Sequence, residues 1–219
     1  MNPTDWINSY KESFNKPSLE SYEIEAIERL TKAFDKYGDG DVNKLAYIFA
    51  TTKLETQMGR YDTELGSNCV NYEGNSMLGN SQSGDGCRYK GRGLPQLTGR
   101  RNYTLASQHF KTDYIGNPQL LASKKHSAKV AVWGMMDGVY TTKKLADYIN
   151  SSKVDFVNAR RVVNGLDKAQ TIAGYATILR NNYKPTFAIS GKQKILLAAF
   201  VLVVLMGMSS NNQGLNRVM

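Results

Sequence analysis

Apolar side chains recur at helical spacing in the N-terminal quarter of the 219-residue chain. The pattern predicts amphipathic helices over residues 3–15, 18–37 and 42–59, with Ser18 as the N-cap of the second helix. In the third helix we expect one face to point into the core. The residues of that face are Leu45, Ile48, Phe49 and Thr52.

The stretch between the second and third helices reads DKYGDGDVN, and its aspartates resemble a calcium-binding loop. Such a loop needs a bidentate glutamate at its twelfth position, where this chain has Ala46. We interpret the stretch instead as a helix end at Gly38, followed by Asp41 as the next N-cap. We expect neither a metal nor a cofactor.

Helical periodicity returns between about Gly99 and Tyr183, where it predicts helices over residues 125–140, 153–163 and 168–183. No segment of about 20–50 residues repeats, which excludes solenoids and propellers. The predicted fold class is therefore mainly α, with one core, in one or two lobes, over residues 1–187. We expect the N-terminal helices, residues 1–40, to pack on this domain.

The C-terminal tail, residues 188–219, differs in character. It contains an unbroken apolar run from Ile195 to Met208, preceded by Lys192 and Lys194. Fourteen helical residues rise about 21 Å, which is short of the ~30 Å hydrocarbon core of a bilayer. Three interpretations stay open: a buried helix, a helix that inserts shallowly in a membrane, or one that docks in a partner groove.

Residues 60–88 show no clear periodicity and are rich in Gly, Asn and Ser. A connection of this length is usually functional or disordered. It contains both cysteines of the chain, Cys69 and Cys87, which could close one loop. A disulfide there would suit a protein that works outside the cytoplasm.

The net charge of +9 is distributed unevenly along the chain. Residues 1–64 carry a net charge of −4, and residues 65–219 carry +13. The basic part favours an anionic partner, such as a membrane or a cell-wall polymer, although solubility alone also explains it. Because no nucleic-acid-binding module is recognisable, we expect no nucleic-acid partner.

One acid stands out in the predicted helix over residues 42–59. Glu55 follows Thr52 and Ile48 on the same face, near the C-terminal end. Partial burial and the negative end of the helix dipole both disfavour a charged carboxylate, as a general acid requires. The alternative is a surface glutamate paired with Lys53 or Arg60.

Residues 89–103, here called the 89–103 loop, read YKGRGLPQLTGRRNY and do not resemble a packed core. Gly91 and Gly93 permit a tight turn. The loop offers groups that hydrogen-bond sugar hydroxyls, and tyrosines whose rings could stack on sugars. These residues are Gln96, Thr98, Arg100 and Asn102, with Tyr89 and Tyr103 at the ends.

Four segments resemble family 19 glycoside hydrolases, which include plant-type chitinases and many bacteriophage endolysins. They are LAYIFATTKLET, the 89–103 loop, ARRVVNGLD and IAGYATILR, in that order along the chain. The resemblance covers about Leu45 to Tyr183. It implies a lysozyme-like, two-lobed helical domain with a catalytic cleft.

The resemblance also implies a role for each matching residue. Glu55 would be the general acid, Glu64 the general base, and Thr98 would position the attacking water. Arg180 would hold the carboxylate network in place. The residues implied to bind the sugar chain are Tyr89, Gln96, Asn102, Tyr103 and Asn164.

The chain departs from the family pattern at two places. Leu54 replaces the histidine that usually precedes the acid, so the acid lacks that hydrogen-bonding neighbour. The match around Glu64 is loose, and Glu73 is a rival for the second carboxylate. An inverting glycosidase needs both carboxylates, whereas a lytic transglycosylase needs one.

We therefore expect a monomeric muralytic enzyme that cleaves the β-1,4 glycan strands of peptidoglycan, as a muramidase or a lytic transglycosylase from a bacteriophage. The N-terminus, MNPTDWINSY, does not read as a signal peptide. We expect action in the bacterial periplasm or cell wall after delivery by a holin, a virion or another route. Contact with a membrane or phage particle would run through residues 195–208.

Three alternatives stay open. Chitin is a related substrate that the sugar-facing residues do not distinguish from peptidoglycan. A peptidoglycan endopeptidase would need Cys69 or Cys87 with His109 or His126. A non-catalytic wall- or membrane-binding protein on a hydrolase scaffold would explain the loss of the histidine.

Overall fold

The computed structural model describes residues 1–64 and 68–186, and these are mainly helical. The predicted apolar tail helix, residues 195–208, lies outside them. Within the described ranges, no helix is long and apolar enough to cross a membrane. The α-helices are α1 (Pro3–Ser13), α2 (Ser21–Tyr37), α3 (Val42–Thr56), α4 (Asp85–Arg88), α5 (Arg100–Phe110), α6 (Lys124–Asp137) and α7 (Ala169–Asn182).

Shorter elements join these helices. Strands β1 (Ile149–Asn150) and β2 (Lys153–Val154) form a small antiparallel hairpin, with Ile149 opposite Val154. The 3-10 helices are Asn68–Tyr72, Ser76–Leu78, Pro118–Ala122, Leu145–Asp147 and Asn158–Val162.

The start of α3 is fixed by its cap. The Asp41 side chain accepts a hydrogen bond from the Asn43 backbone N–H at 2.8 Å, and α2 ends at Gly38. The interpretation of residues 35–43 as a helix end and an N-cap is therefore confirmed. The predicted cap of α2 is wrong, because Glu20 and Glu23 form a capping box there in place of Ser18.

The larger of two hydrophobic cores surrounds α3. All residues from Lys44 to Thr52 are buried, so burial extends around the helix and includes the predicted inward face. Helix α7 packs along α3, and α6 packs on α2. Each fully buried large apolar side chain contributes about 1.5–3 kcal/mol. Those contributed by α1, α2 and α3 include Trp6, Phe34, Leu45, Ile48 and Phe49.

The second core lies around α5 and the 89–103 loop. Its buried residues include Tyr89, Leu97, Tyr103 and Tyr114. Helix α6 contributes to both cores, since Val132 belongs to the larger one and Trp133 to the smaller one. The two cores give two lobes joined through α6, and the predicted mainly α, two-lobed fold is confirmed.

The helix predicted over residues 153–163 is wrong. That segment contains β2 and the short helix Asn158–Val162. The Asp155 carboxylate accepts hydrogen bonds from both the backbone N–H and the side-chain amide of Asn158, at 3.0 and 2.8 Å. Such local side-chain bonds compete with a regular helix, which apolar periodicity alone does not reveal.

Candidate active site

Glu55 lies in the last turn of α3 and pairs with a buried arginine. Its side chain is 26% exposed, and Oε1 is 2.6 Å from Nη1 of Arg160. Arg160 comes from the helix Asn158–Val162, and its Nε donates to the Asp167 carbonyl at 3.0 Å. The expected alternative of a surface pair is not observed, because Lys53 lies over the Phe14 ring and Arg60 over the Tyr61 ring.

Two tyrosines complete the surroundings of Glu55. Burial raises the pKa of the Tyr140 hydroxyl, and the charge of Glu55 raises it further. Burial also raises the pKa of Tyr47, and this effect outweighs the charge of Arg160, which lowers it. Both phenols therefore stay protonated. The Tyr140 oxygen is buried and makes no hydrogen bond within the described residues.

Arg160 is the residue that sequence reasoning missed. Leu54, in place of the family's histidine, is partly buried against the larger core and offers no polar group. Arg160 is instead the charged partner of Glu55. The sequence shows only the pair Arg160–Arg161. The available signal was its position four residues before Asn164, in a segment already assigned to the site.

Glu64 is tied to the 89–103 loop. Its Oε2 accepts a hydrogen bond from the Gly91 N–H at 3.2 Å, and its Oε1 accepts one from the Tyr72 hydroxyl at 3.0 Å. The adjacent backbone pairs in an antiparallel manner, with Thr63 opposite Arg92. Burial and the bond to Glu64 raise the pKa of Tyr72. Glu64 is thus held by two donors from different segments.

Glu73 has a structural role at the start of α4. Its carboxylate accepts hydrogen bonds from the N–H groups of Gly84 and Gly86, at 2.6 and 2.8 Å. Negative charge at a helix N-terminus is stabilising. The same segment is closed by a disulfide between Cys69 and Cys87, the pair that the sequence left open. Of the two rivals for the second carboxylate, the placement favours Glu64.

Gln96 packs over Gly91, whose N–H binds Glu64, and Thr98 is bonded to Gln96. A Cβ atom added at Gly91 would be 2.8 Å from Oε1 of Gln96, so the glutamine packs directly over this glycine. Thr98 Oγ1 donates to the Gln96 carbonyl at 3.3 Å. Both side chains are half-buried, and the structure brings Gln96, through Gly91, next to a donor of Glu64.

The sugar-stacking role expected of Tyr89 and Tyr103 does not fit the structure. Both rings are buried in the smaller core. The Tyr103 hydroxyl donates to the Lys90 carbonyl at 2.7 Å, and burial raises its pKa to about 12. Asn102 is buried as well and donates to the Thr98 carbonyl at 2.9 Å. The buried side chains of these three residues stabilise the 89–103 loop from inside the protein.

Arg180 is also placed away from its expected position. Its Nε donates to Oδ1 of Asn43 at 3.1 Å, in the first turn of α3. Glu55 is twelve residues further along that helix, about 18 Å away at 1.5 Å per residue. Arg180 therefore stabilises the packing of α7 on α3 and does not hold the carboxylates.

Some of the residues described above, or their sequence neighbours, line a cleft of about 530 Å³. Tyr72, the partner of Glu64, lies in its wall together with the exposed Asn164. Arg161, next in sequence to the partner of Glu55, lines the same cleft. The complete lining is Tyr72, Asn75, Met77, Leu78, Thr141, Lys143, Arg161, Val163, Asn164 and Gly165.

Both cysteines and both histidines contact other groups of the protein. Cys69 and Cys87 are joined to each other, and a thiolate nucleophile requires a free cysteine. His126 binds the Tyr114 hydroxyl at 2.7 Å, and His109 stacks on Trp133. In residues 1–64 and 68–186, no three His, Cys, Asp or Glu side chains cluster as metal ligands.

Comparison with known proteins points to chitinases. The chain is 36% identical over 109 residues to the acidic 27 kDa endochitinase of Solanum lycopersicum, which covers 47% of this chain and 41% of that protein. It is 37% identical over 109 residues to the acidic endochitinase of Petunia hybrida, covering 47% and 40%. The chain thus matches about two fifths of the length of these relatives. No protein-family model matches it.

A solved structure extends the similarity to most of the chain. A mutant of chitinase C superposes with a TM-score of 0.57 at 18% sequence identity, covering 85% of this chain and 95% of that one. At this identity the match concerns the fold alone. The chain therefore has the helical, lysozyme-like fold of a chitinase, and part of its sequence is similar to endochitinases.

Proposed function

We propose that this protein hydrolyses the β-1,4 glycan strands of bacterial peptidoglycan. The observation that carries the proposal is the pair Glu55 and Glu64, each held by its own partners. Tyr72, which binds Glu64, and Arg161, which follows the Glu55 partner Arg160 in sequence, line one cleft. Sequence similarity to endochitinases supports glycan-strand cleavage.

In this mechanism Glu55 is the general acid, and it protonates the glycosidic oxygen as the bond breaks. The buried Arg160 holds the carboxyl group in one orientation. An acid that is positioned before the substrate arrives accelerates such a step by about 10²–10⁴-fold. Arg160 is a positioning residue because it acts through Glu55.

Glu64 is the general base that takes a proton from the attacking water. An ionised carboxylate only accepts hydrogen bonds, and Glu64 receives them from one N–H and one O–H donor. Gln96 packs over Gly91, a donor to Glu64, and would bind the sugar, while Thr98, bonded to the Gln96 carbonyl, would position the water. A second carboxylate in place favours hydrolysis over the transglycosylase reaction, which uses a single acid.

Peptidoglycan is preferred to chitin as the substrate because of the charges at the cleft. Lys143 and Arg161 line it, and residues 65–219 carry a net charge of +13. Peptidoglycan has carboxylates on its peptide stems, whereas chitin is neutral. Complementary charge raises association rates and selectivity. We place the activity in the bacterial cell wall, in lysis or penetration by a bacteriophage.

Replacing Glu55 tests the chemistry. E55Q should slow the clearing of a peptidoglycan suspension by about 10²–10⁴-fold, because an amide cannot donate the required proton. The matched control is E12Q, which changes an exposed glutamate paired with Lys184 and should clear normally. Undiminished clearing by folded E55Q would refute the assignment of the acid. Faster release of sugars from colloidal chitin than from peptidoglycan by the wild type would refute the substrate.

A further inference from the structure

A second concave surface lies between α2 and α6, and the proposed glycan cleavage makes no use of it. This surface, here called the basic groove, has a volume of about 450 Å³. Ala33 and Ala128 form part of its floor. Its charged lining consists of Arg29, Lys32, Lys36, Lys124, Lys125 and Lys129.

One end of the basic groove is partly neutralised. Lys124 pairs with Glu25, and Arg29 donates from Nε to the Glu25 carbonyl at 3.0 Å. Burial raises the pKa of Asp62, and this effect outweighs the nearby charges of Arg29 and Lys124, which lower it. Nη1 of Arg29 is buried and has no hydrogen-bond partner within the described residues.

The other end carries uncompensated charge. Lys32, Lys36, Lys125 and Lys129 form no ion pair with any acid among residues 1–64 and 68–186. Burial lowers the pKa of Lys129, and the neighbouring charges of Lys125 and Lys36 lower it further. Four like charges at one surface repel each other, and a bound anion would relieve that repulsion.

The lysines are arranged in two rows. Lys32 and Lys36 are one turn apart on α2, and Lys125 and Lys129 are one turn apart on α6. Four residues of helix rise about 6 Å. Both rows line the same groove, so they match a linear anion whose charges recur at a similar interval.

Among the described residues, the aromatic surface in the groove is limited to the half-buried Tyr37. The Tyr37 ring makes edge contacts with the rings of Phe110 and His109, and the Lys36 ammonium lies over it. Sites for single-stranded nucleic acid combine positive charge with exposed rings on which the bases stack. A polyanion without bases therefore fits this groove better than a nucleic acid does.

We infer that the basic groove binds a flexible phosphodiester polymer without bases, of the poly(polyol phosphate) type found on bacterial surfaces. Each repeat carries one negative charge, and lysine ammonium groups bind phosphate as point charges. The groove would hold the protein at an anionic envelope. This inference goes beyond the proposed function, and its test measures binding without reference to catalysis.

The test uses fluorescently labelled poly(glycerol phosphate) of ten repeats and oligo(dT) with ten phosphates, measured by fluorescence anisotropy. The groove variant is K32Q/K125Q, since the side chains of both lysines are exposed and bond to no residue of the ranges 1–64 and 68–186. The control K11Q/K153Q removes the same charge elsewhere. The circular dichroism spectra of both variants should match that of the wild type.

We expect K32Q/K125Q to bind poly(glycerol phosphate) about tenfold or more weakly, as two cations close to an anionic surface are lost. Its affinity should also depend less steeply on salt. The control should bind nearly as the wild type does. Equal affinities for the two variants would overturn the site, and groove-dependent binding of oligo(dT) alone would overturn the ligand class.

Discussion

At the scale of single residues, the proposed chemistry depends on what holds each carboxylate. Leu54 stands where the family that the chain resembles has a histidine, and a cation from another part of the chain contacts Glu55. The sequence could indicate Glu55 and the 89–103 loop because their residue types are local and characteristic. It could not indicate Arg160 as the partner, because that contact depends on how the segment after β2 folds back on α3.

Arg160 should affect turnover more than substrate binding. R160Q removes the group that orients Glu55, so we expect kcat to fall about tenfold or more with a smaller change in KM. R161Q is the matched control, since Arg161 lines the cleft without contacting Glu55 and should mainly raise KM. Steady-state kinetics on soluble glycan fragments separates the two effects. A normal kcat for folded R160Q would contradict the positioning role.

Substitutions of the two candidates for the second carboxylate, Glu64 and Glu73, should affect different properties of the protein. E64Q should lower hydrolysis by about 10²-fold or more, because the base is lost. E73Q should leave kcat unchanged and lower the melting temperature, because the carboxylate at the start of α4 is lost. Kinetics and thermal unfolding of both variants decide between them. The reverse pattern would move the base to Glu73.

At the scale of elements, local signals predicted helices well and irregular segments poorly. Helices α1, α2, α3, α6 and α7 lie close to their predicted ranges because each has apolar periodicity over several turns. The exception is residues 153–163, where an aspartate–asparagine contact replaces the helix. Residues 60–64 and 68–88 show no periodicity, and long-range bonds such as the disulfide and the Asp85–Arg100 pair hold the second of these stretches.

The Asp85–Arg100 pair joins α4 to α5 and makes stability depend on pH. The hydrogen bond from Arg100 lowers the pKa of Asp85. The stabilisation is therefore complete above the unfolded-state pKa of about 3.9, and it is lost as the pH falls through the lower folded-state value. D85N should destabilise the protein by about 1–2 kcal/mol at pH 7 and by less at pH 3. Urea unfolding at the two pH values measures this, and an equal loss at both would contradict it.

At the scale of the whole molecule, two helical lobes share α6. Tyr72, which binds Glu64, and Arg161, next in sequence to the Glu55 partner Arg160, line one cleft. The two-lobed fold was predictable through the resemblance of four short segments. Asn164 was expected at the site and lines the cleft, but most of the lining was not predictable. Tyr89, Asn102 and Tyr103 have polar groups that suit sugars, and yet all three are buried. Residue type indicates chemistry, but only the fold decides which groups are accessible.

The most direct test of glycan hydrolysis is mass spectrometry of the products released from purified peptidoglycan. The proposal predicts new reducing sugar ends with the wild type and almost none with E55Q. Anhydro ends would contradict hydrolysis and indicate a transglycosylase. New free amines without new sugar ends, or no soluble product despite binding to the wall, would contradict glycan cleavage altogether.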